Sequence, residues 1–456
     1  MSRQAVDVEA LSFRRLCPWV HLFRAFGIAI DIRKIVLAGM ALMMFSAGDW
    51  ALSHLPFYPS PHAMPWETQF DRPGAKVESL QRPAGIRKLA VDPYGTLVSM
   101  STNWSLVLSP VHMFVDSALV LLRPDQNKQW ADVAVAWTRL IWGLCVWAVF
   151  GGAITRMAAV QFARDERVGI SQALRFSCRK FLDYLTAPFL PISGVIVLWV
   201  CCLIGGLVGL IPAVGDVVVG LFWFLALGIG FLMSLLLIGV GAGWPLMFAG
   251  ISAEGSDGFD GLSRAYSYVY DRPGYYAWLI VLATAYGAIV MFLVWSVTSL
   301  FVYLAGWSVS SGMGLDNVIA LLKPTPELIG GPELFGNPDT LVVSSGMYAT
   351  SAWLHLVALL LVGFVHSYFW CASTIIYFLL RKSDDGTELD EVYLAPQESN
   401  VGEESLPLVS TDECHPQGEP EVSDAWDADA ETKVVKQGDQ ATADGDDSSE
   451  SKEEPI

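Results

Sequence analysis

The sequence has few charged residues: Asp, Glu, Lys and Arg make up only 16% of its 456 residues, whereas 53% are hydrophobic. Together with a mean hydropathy of +0.44, this shortage excludes an ordinary soluble globular protein, in which about a quarter of the residues are charged. A basic domain of the kind that binds nucleic acid is also missing. The composition therefore predicts an all-α integral membrane protein that crosses the bilayer several times.

Motifs that carry familiar catalytic chemistry are missing as well. The sequence has no Walker loop, no His-Glu-x-x-His, no Gly-x-Ser-x-Gly and no Cys-x-x-Cys. We therefore expect no enzymatic activity, no cofactor and no metal. The seven cysteines fall in predicted spans or cytoplasmic segments, so no disulfide framework is expected.

Negative charge is scarce until the C-terminus. Residues 383–456 hold 23 of the 46 acidic residues and three of the 28 basic residues, so the remaining 382 residues carry a net charge of +2. Because this segment has few large apolar residues to offset its chain entropy, it is predicted to be a disordered acidic cytoplasmic tail. It either solvates the protein, the favoured interpretation, or binds a basic protein partner.

Six stretches are long and apolar enough to cross a hydrocarbon core of about 30 Å. They are residues 35–52, 131–154, 191–210, 217–241, 276–305 and 348–380. Pro and Gly between the third and fourth stretches predict a tight hairpin there. The membrane domain is thus expected over residues 35–382, after a cytoplasmic N-terminal segment at 1–34.

Basic residues predict the orientation, because Lys and Arg in short flanking segments stay cytoplasmic. They are concentrated in residues 1–34, 156–185 and 381–382, which places both termini in the cytoplasm, residues 55–130 outside and the protein in the cytoplasmic (inner) membrane. The first span is expected to be retained as an anchor, since no clear cleavage site follows it. Residues 106–122 are apolar too, but a crossing there would move 156–185 outside, so a surface-lying amphipathic piece is predicted.

Two predicted cytoplasmic segments are built alike. Gly169 and Gly258 each open a stripe of apolar residues with helical period, and Arg175 and Arg264 each follow six residues after the glycine. Each segment runs directly into a predicted span. This pattern indicates an amphipathic helix in the membrane plane followed by a crossing, used twice.

Three runs in this region are familiar. The sequence EGSDGFDGLSRAYSYVYDRP at residues 254–273, with GGAITR at 151–156 and the run from IYFLLR at 376–381 to Leu394, resembles landmarks of uncharacterised multi-pass bacterial membrane proteins of the planctomycete type. The resemblance covers about residues 35–394. More distantly, the chain is similar to membrane domains associated with glycerophosphodiester phosphodiesterases, without their catalytic domain. Since the family has no assigned activity, the resemblance implies architecture and no mechanism.

The first of these runs contains a candidate cytoplasmic motif of Glu254, Asp257, Asp260 and Arg264. On a continuous helix the three carboxylates would lie along one edge, as a divalent cation site requires, so a metal or phosphate site is one interpretation of the motif. The interspersed glycines argue against such a helix. An N-cap at Asp257 or Asp260, with Asp260 paired to Arg264, is the favoured interpretation.

A second candidate site lies inside the membrane, where ionisable groups are costly and face a partner or water. Asp49, Arg139 and His366 stand at similar depths, each about 22 to 25 Å along its helix from a basic flank. They either form a polar cluster that passes protons or ions, or consist of an Asp49–Arg139 pair joining two helices and a His366 bonded to a neighbouring helix. The second interpretation is favoured.

These observations favour a non-enzymatic membrane scaffold or envelope-associated protein that binds lipid or protein partners, with the lipid bilayer as its medium. The alternative is a small-solute or ion transporter that uses the polar layer around Asp49, Arg139 and His366. A membrane-bound enzyme ranks third, because helix capping explains its only acidic constellation. No feature of the sequence indicates an oligomeric state.

Overall fold

The computed structural model describes residues 17–52, 54, 95, 107–122, 130–212, 214–322 and 338–394, and these are almost entirely helical with no strand. Twelve α-helices lie in this part of the chain: α1 Arg24–Ala29, α2 Ile32–Leu52, α3 Ser109–Leu122, α4 Trp130–Arg164, α5 Ile170–Arg179, α6 Phe181–Leu207, α7 Gly215–Leu221, α8 Trp223–Glu254, α9 Gly258–Asp271, α10 Pro273–Met313, α11 Leu315–Leu321 and α12 Pro338–Asp384. Short 3-10 helices at Pro18–Phe23 and Val208–Leu210 complete it.

Six of these helices are long and apolar enough to cross a membrane, which confirms the predicted fold class. They are α2, α4, α6, α8, α10 and α12. Each overlaps one predicted span, although α6 ends at Leu207, before the predicted end of the third span, and α8 begins only at Trp223, after the predicted start of the fourth. Most extend well past the apolar stretch, because the helix continues until the backbone breaks. The break after α4 is Asp165, with φ at 57°, and the break after α8 is Gly255, with φ at 65°.

The interior of the bundle lies where α4, α8 and α12 meet. Four large aromatic side chains fill it: Trp147 from α4, Trp244 and Phe248 from α8, and Trp370 from α12. The ring of Trp370 lies 5.2 Å from that of Trp244, 5.0 Å from Phe248 and 5.7 Å from Trp147, measured between centroids. Helix α2 packs on the outside of α4 and α12.

The predicted repeat is present as two units, α4–α5–α6 and α8–α9–α10, each with a short amphipathic helix between two long ones. In the first unit, the Gln172 side chain accepts from the Gly169 backbone N–H at 3.2 Å. In the second, Asp257 caps α9 by accepting from the backbone N–H of Asp260 at 2.9 Å. Both short helices pack against the long helix that precedes them.

Helix α3 corrects the prediction for residues 106–122. With 14 residues it is too short to cross, yet it does not lie only on the surface. The ring of Phe114 lies 4.7 Å from that of Trp244 in the bundle interior, and Val107 is only 5% exposed. One face of α3 therefore packs against the bundle, whereas Val115, Leu119 and Leu122 on its other side remain exposed. The rest of the predicted external loop at 55–130 lies outside the described residues, except for residue 95 and the start of α4.

Part of the predicted N-terminal segment packs into the helix bundle. Leu22, Ala25 and Ala29 are fully buried, and the Ser367 hydroxyl donates to the Ala29 carbonyl at 2.9 Å. Lys34 is also fully buried, and its ammonium group donates to the Ile28 carbonyl at 2.9 Å. The residues from 17 onward are therefore part of the packed bundle.

The C-terminal boundary of the membrane domain also differs from its prediction. Helix α12 runs to Asp384, and residues 385–394, here called the strap, turn back onto the bundle. The Tyr393 N–H donates to the Ala253 carbonyl at 2.8 Å, and Leu389 and Val392 pack against the core. The predicted tail start at residue 383 is therefore wrong, because the overall acidity of the segment hid these apolar residues. Residues 395–456 lie outside the described part.

Candidate functional site

The predicted intramembrane pair is present. Arg139 Nε lies 3.6 Å from Asp49 Oδ1, which joins the C-terminal part of α2 to the N-terminal part of α4. The Asp49 side chain is 18% exposed and that of Arg139 is 42% exposed. An ion pair between two adjacent helices stabilises their packing, because each charge offsets the cost of placing the other in hydrocarbon. We therefore interpret this pair as structural.

His366 does not join this pair, so the predicted cluster of three does not assemble. Its ring stacks on Trp147 at 5.2 Å, and Nδ1 lies 3.0 Å from the carbonyl of Val362 on the same helix. The predicted bond to a neighbouring helix is therefore wrong. The register of α12 turns the imidazole into the aromatic interior, where it is 3% exposed.

The pair predicts non-additive substitutions. Asp49→Asn or Arg139→Gln alone should each lower stability, because each leaves the other charge without its partner, whereas the double substitution removes both. We expect a coupling of about 1 kcal/mol or more from a double-mutant cycle on the unfolding midpoint in detergent. Strict additivity would mean that Arg139 instead reaches the headgroup region through its long side chain.

The arrangement of the candidate motif at residues 254–264 depends on Gly255, whose left-handed backbone ends α8 directly after Glu254. Glu254 then faces three side chains. Its Oε1 lies 2.8 Å from Arg264 and 3.6 Å from Arg381, and the Tyr377 hydroxyl donates to it at 2.6 Å. One carboxylate thereby joins α8, α9 and α12.

The other acidic residues of the motif, Asp257 and Asp260, lie at the N-terminus of α9. Asp257 is the N-cap of α9, which confirms the favoured interpretation. The predicted pairing of Asp260 with Arg264 is wrong, since Arg264 bonds to Glu254 instead. The structure thus brings Glu254 and Arg264 together, while Asp257 and Asp260 lie at the N-terminus of α9. The three carboxylates do not line one edge of a continuous helix.

Sequence reasoning missed a second buried polar group next to Glu254. Arg156 is fully buried, donates to the Ser252 carbonyl at 2.8 Å and lies 4.5 Å from the Phe176 ring. The Ser252 hydroxyl is bonded to Thr155 at 2.5 Å and to Tyr184 at 2.7 Å. This network joins α4, α6 and α8. The only sequence signal for it was an arginine that ends an apolar stretch, and that signal suggests an exposed flank.

The strap is attached on its other side by Tyr268 of α9. Its hydroxyl donates to Asp385 Oδ2 at 2.6 Å. Burial, reinforced by the hydrogen bond to Asp385, raises the pKa of Tyr268 above its ordinary value. The strap therefore has fixed contacts to both α8 and α9.

An apolar cavity of about 220 Å³ lies between α8, α10 and α12, with Val107 and Leu108 on its side. The lining includes Trp244, Tyr276, Ala283, Thr284 and Phe369. All five belong to helices that are long enough to cross a membrane. The cavity has few polar groups, so it suits a hydrocarbon rather than an ion or a polar solute.

Comparison with protein families, with curated proteins and with solved structures finds no match to this chain. The family resemblance of residues 35–394 therefore stays a prediction. Among the described residues, no group of three or more His, Cys, Asp or Glu side chains is placed to hold a metal ion.

Proposed function

We propose that this protein is a non-enzymatic membrane scaffold that binds a lipid. The observation that carries the proposal is the apolar cavity between α8, α10 and α12, within the membrane-crossing part of the chain. Its occupant is a lipid acyl chain, because hydrocarbon is the medium that surrounds these helices. An unfilled cavity loses dispersion contacts on its lining, and an acyl chain restores them.

The alternative, a transporter of ions or small solutes, has less support. Transport through the polar layer needs a polar path from the Asp49–Arg139 pair across the bundle. In the described part of the chain, the interior next to this layer is filled by Trp147, Trp244 and Trp370, and His366 is stacked within it. Packed aromatic rings favour a scaffold over a conduit.

Lipid binding is tested by filling the cavity. Thr284→Trp places an indole at a partly exposed lining position, where we expect it to exclude the acyl chain and to reduce co-purified lipid several-fold. The measurement is native mass spectrometry of the protein released from detergent. Ala285→Trp is the matched control, since it adds the same side chain at the next, exposed residue and should leave the lipid content unchanged. Equal lipid content in the two variants would contradict the proposal.

The orientation is proposed from the basic flanks: the end of the bundle that carries Arg164, Arg264 and Arg381, here called the basic end, faces the cytoplasm of a bacterial inner membrane. In a cysteine-free background, Ser311→Cys should react with an impermeant maleimide in intact cells. Glu166→Cys should react only after permeabilisation. Both side chains are exposed: Ser311 lies in the last turn of α10, and Glu166 follows the C-terminus of α4. Labelling of both from one side would contradict six crossings.

A further inference from the structure

An open polar cleft of about 630 Å³ lies at the basic end, and the lipid proposal does not use it. Its charged lining consists of three arginines and three carboxylates: Arg164, Arg264, Arg381, Glu254, Asp390 and Glu391. The arginines come from three helices, α4, α9 and α12. Both acidic residues at 390 and 391 come from the strap. The cleft therefore brings together three arginines of the bundle and two carboxylates of the strap, and the strap carboxylates offset part of the positive charge.

Two of the cations are fixed in place by the same oxygen. Arg264 and Arg381 both approach Glu254 Oε1, at 2.8 and 3.6 Å. A guanidinium group carries five N–H donors, so these contacts leave further donors on each arginine. Arg164 adds a third guanidinium at an exposed position at the end of α4. Planar, convergent guanidinium groups are the arrangement that recognises phosphate oxygens.

The strap already supplies an anion to this site. Arg381 Nη2 lies 3.3 Å from Glu391 Oε2, and its Nη1 donates to the Glu391 carbonyl at 3.1 Å. The Glu391 side chain is 62% exposed, and an ion pair so open to solvent contributes little stability. A phosphate forms shorter, charge-assisted and often bidentate bonds to arginine. Glu391 is therefore the anion of this site that a phosphate group displaces most readily.

We propose that the cleft binds a phosphate group on Arg164, Arg264 and Arg381, with Glu391 as the internal ligand that the phosphate displaces. The group belongs either to a lipid headgroup or to a free phosphate, since α9 is expected in the membrane plane and the cleft is open. This inference rests on the charged cleft and not on the apolar cavity. Failure of one proposal leaves the other standing.

The test uses the full chain in nanodiscs of phosphatidylcholine, titrated with inorganic phosphate by isothermal calorimetry. Arg164→Gln should weaken binding about tenfold, because one charge-assisted hydrogen bond is lost. Glu391→Gln should do the reverse and tighten binding about threefold, because the competing carboxylate is gone. Arg167→Gln, which removes an exposed arginine outside the cleft, should leave the affinity unchanged.

The opposite changes in phosphate affinity expected for Arg164→Gln and Glu391→Gln distinguish a phosphate site from a purely structural network. In a structural network, neither substitution tightens phosphate binding. Nanodiscs that contain phosphatidic acid separate the two sources. If the lipid headgroup occupies the cleft, phosphatidic acid will suppress phosphate binding, and if free phosphate is the ligand, it will not. Absence of phosphate binding in both the unmodified chain and Glu391→Gln, or equal affinity in Arg164→Gln, would overturn the proposal. Unfolding midpoints measured without phosphate verify that each variant is folded.

Discussion

Replacing Glu254 with Gln should lower the stability of the membrane domain by about 2 to 4 kcal/mol, because it leaves the guanidinium of Arg381 without its interior partner. The Glu254 side chain is 13% exposed and that of Arg381 is 9% exposed, so solvent does little to compensate. The second partner, Arg264, is 45% exposed and adds little to the loss. The measurement is the unfolding midpoint in detergent, followed by intrinsic tryptophan fluorescence.

Asp260→Asn is the matched control, because it removes an equal charge from the same segment at an exposed position. It should change stability by less than about 1 kcal/mol, the contribution of a carboxylate near a helix N-terminus. A second substitution, Arg381→Met in the Glu254→Gln background, should recover part of the loss, since the buried guanidinium that lost its partner is then removed as well. If Glu254→Gln and Asp260→Asn have equal effects, the central role of Glu254 is wrong.

Gly363→Ala should also destabilise the bundle, by about 1 to 3 kcal/mol, because it separates two helix backbones. A Cβ atom at Gly363 would lie 2.9 Å from the Ile35 carbonyl oxygen and 3.3 Å from the Gly39 backbone nitrogen. No side-chain rotation relieves a contact with backbone, so α12 has to move away from α2. Close approach at small residues is a main source of helix association within a bilayer.

Gly205→Ala serves as the comparison, since a Cβ atom there meets nothing within 4 Å. Both substitutions gain the same helix propensity, about 1 kcal/mol at most, so the difference between them isolates the steric effect. The unfolding midpoint in detergent should fall for Gly363→Ala and stay the same or rise for Gly205→Ala. Equal midpoints would show that α2 and α12 have room to separate at no cost.

The predictable part of the candidate sites depended on local sequence. Asp257 was recognisable as an N-cap because the residue type and the apolar run behind it suffice for that role. Asp49 and Arg139 were predicted to meet because depth along a helix follows from the residue count. The same count placed His366 in their layer, but it carries no information on the direction in which the imidazole points.

The sequence by itself determined the six helices long and apolar enough to cross a membrane, the hairpin between the third and fourth, and the two amphipathic helices, because hydropathy and helical period depend on neighbours a few residues apart. Only the tertiary structure decided the partners of Glu254, which lie 10, 123 and 127 residues further along the chain. The packing of one face of α3 on the bundle, the return of the strap and the shape of the apolar cavity were decided in the same way. These features depend on how helices cross and rotate against one another, and crossing geometry arises from the fit of many side chains that are distant in the sequence.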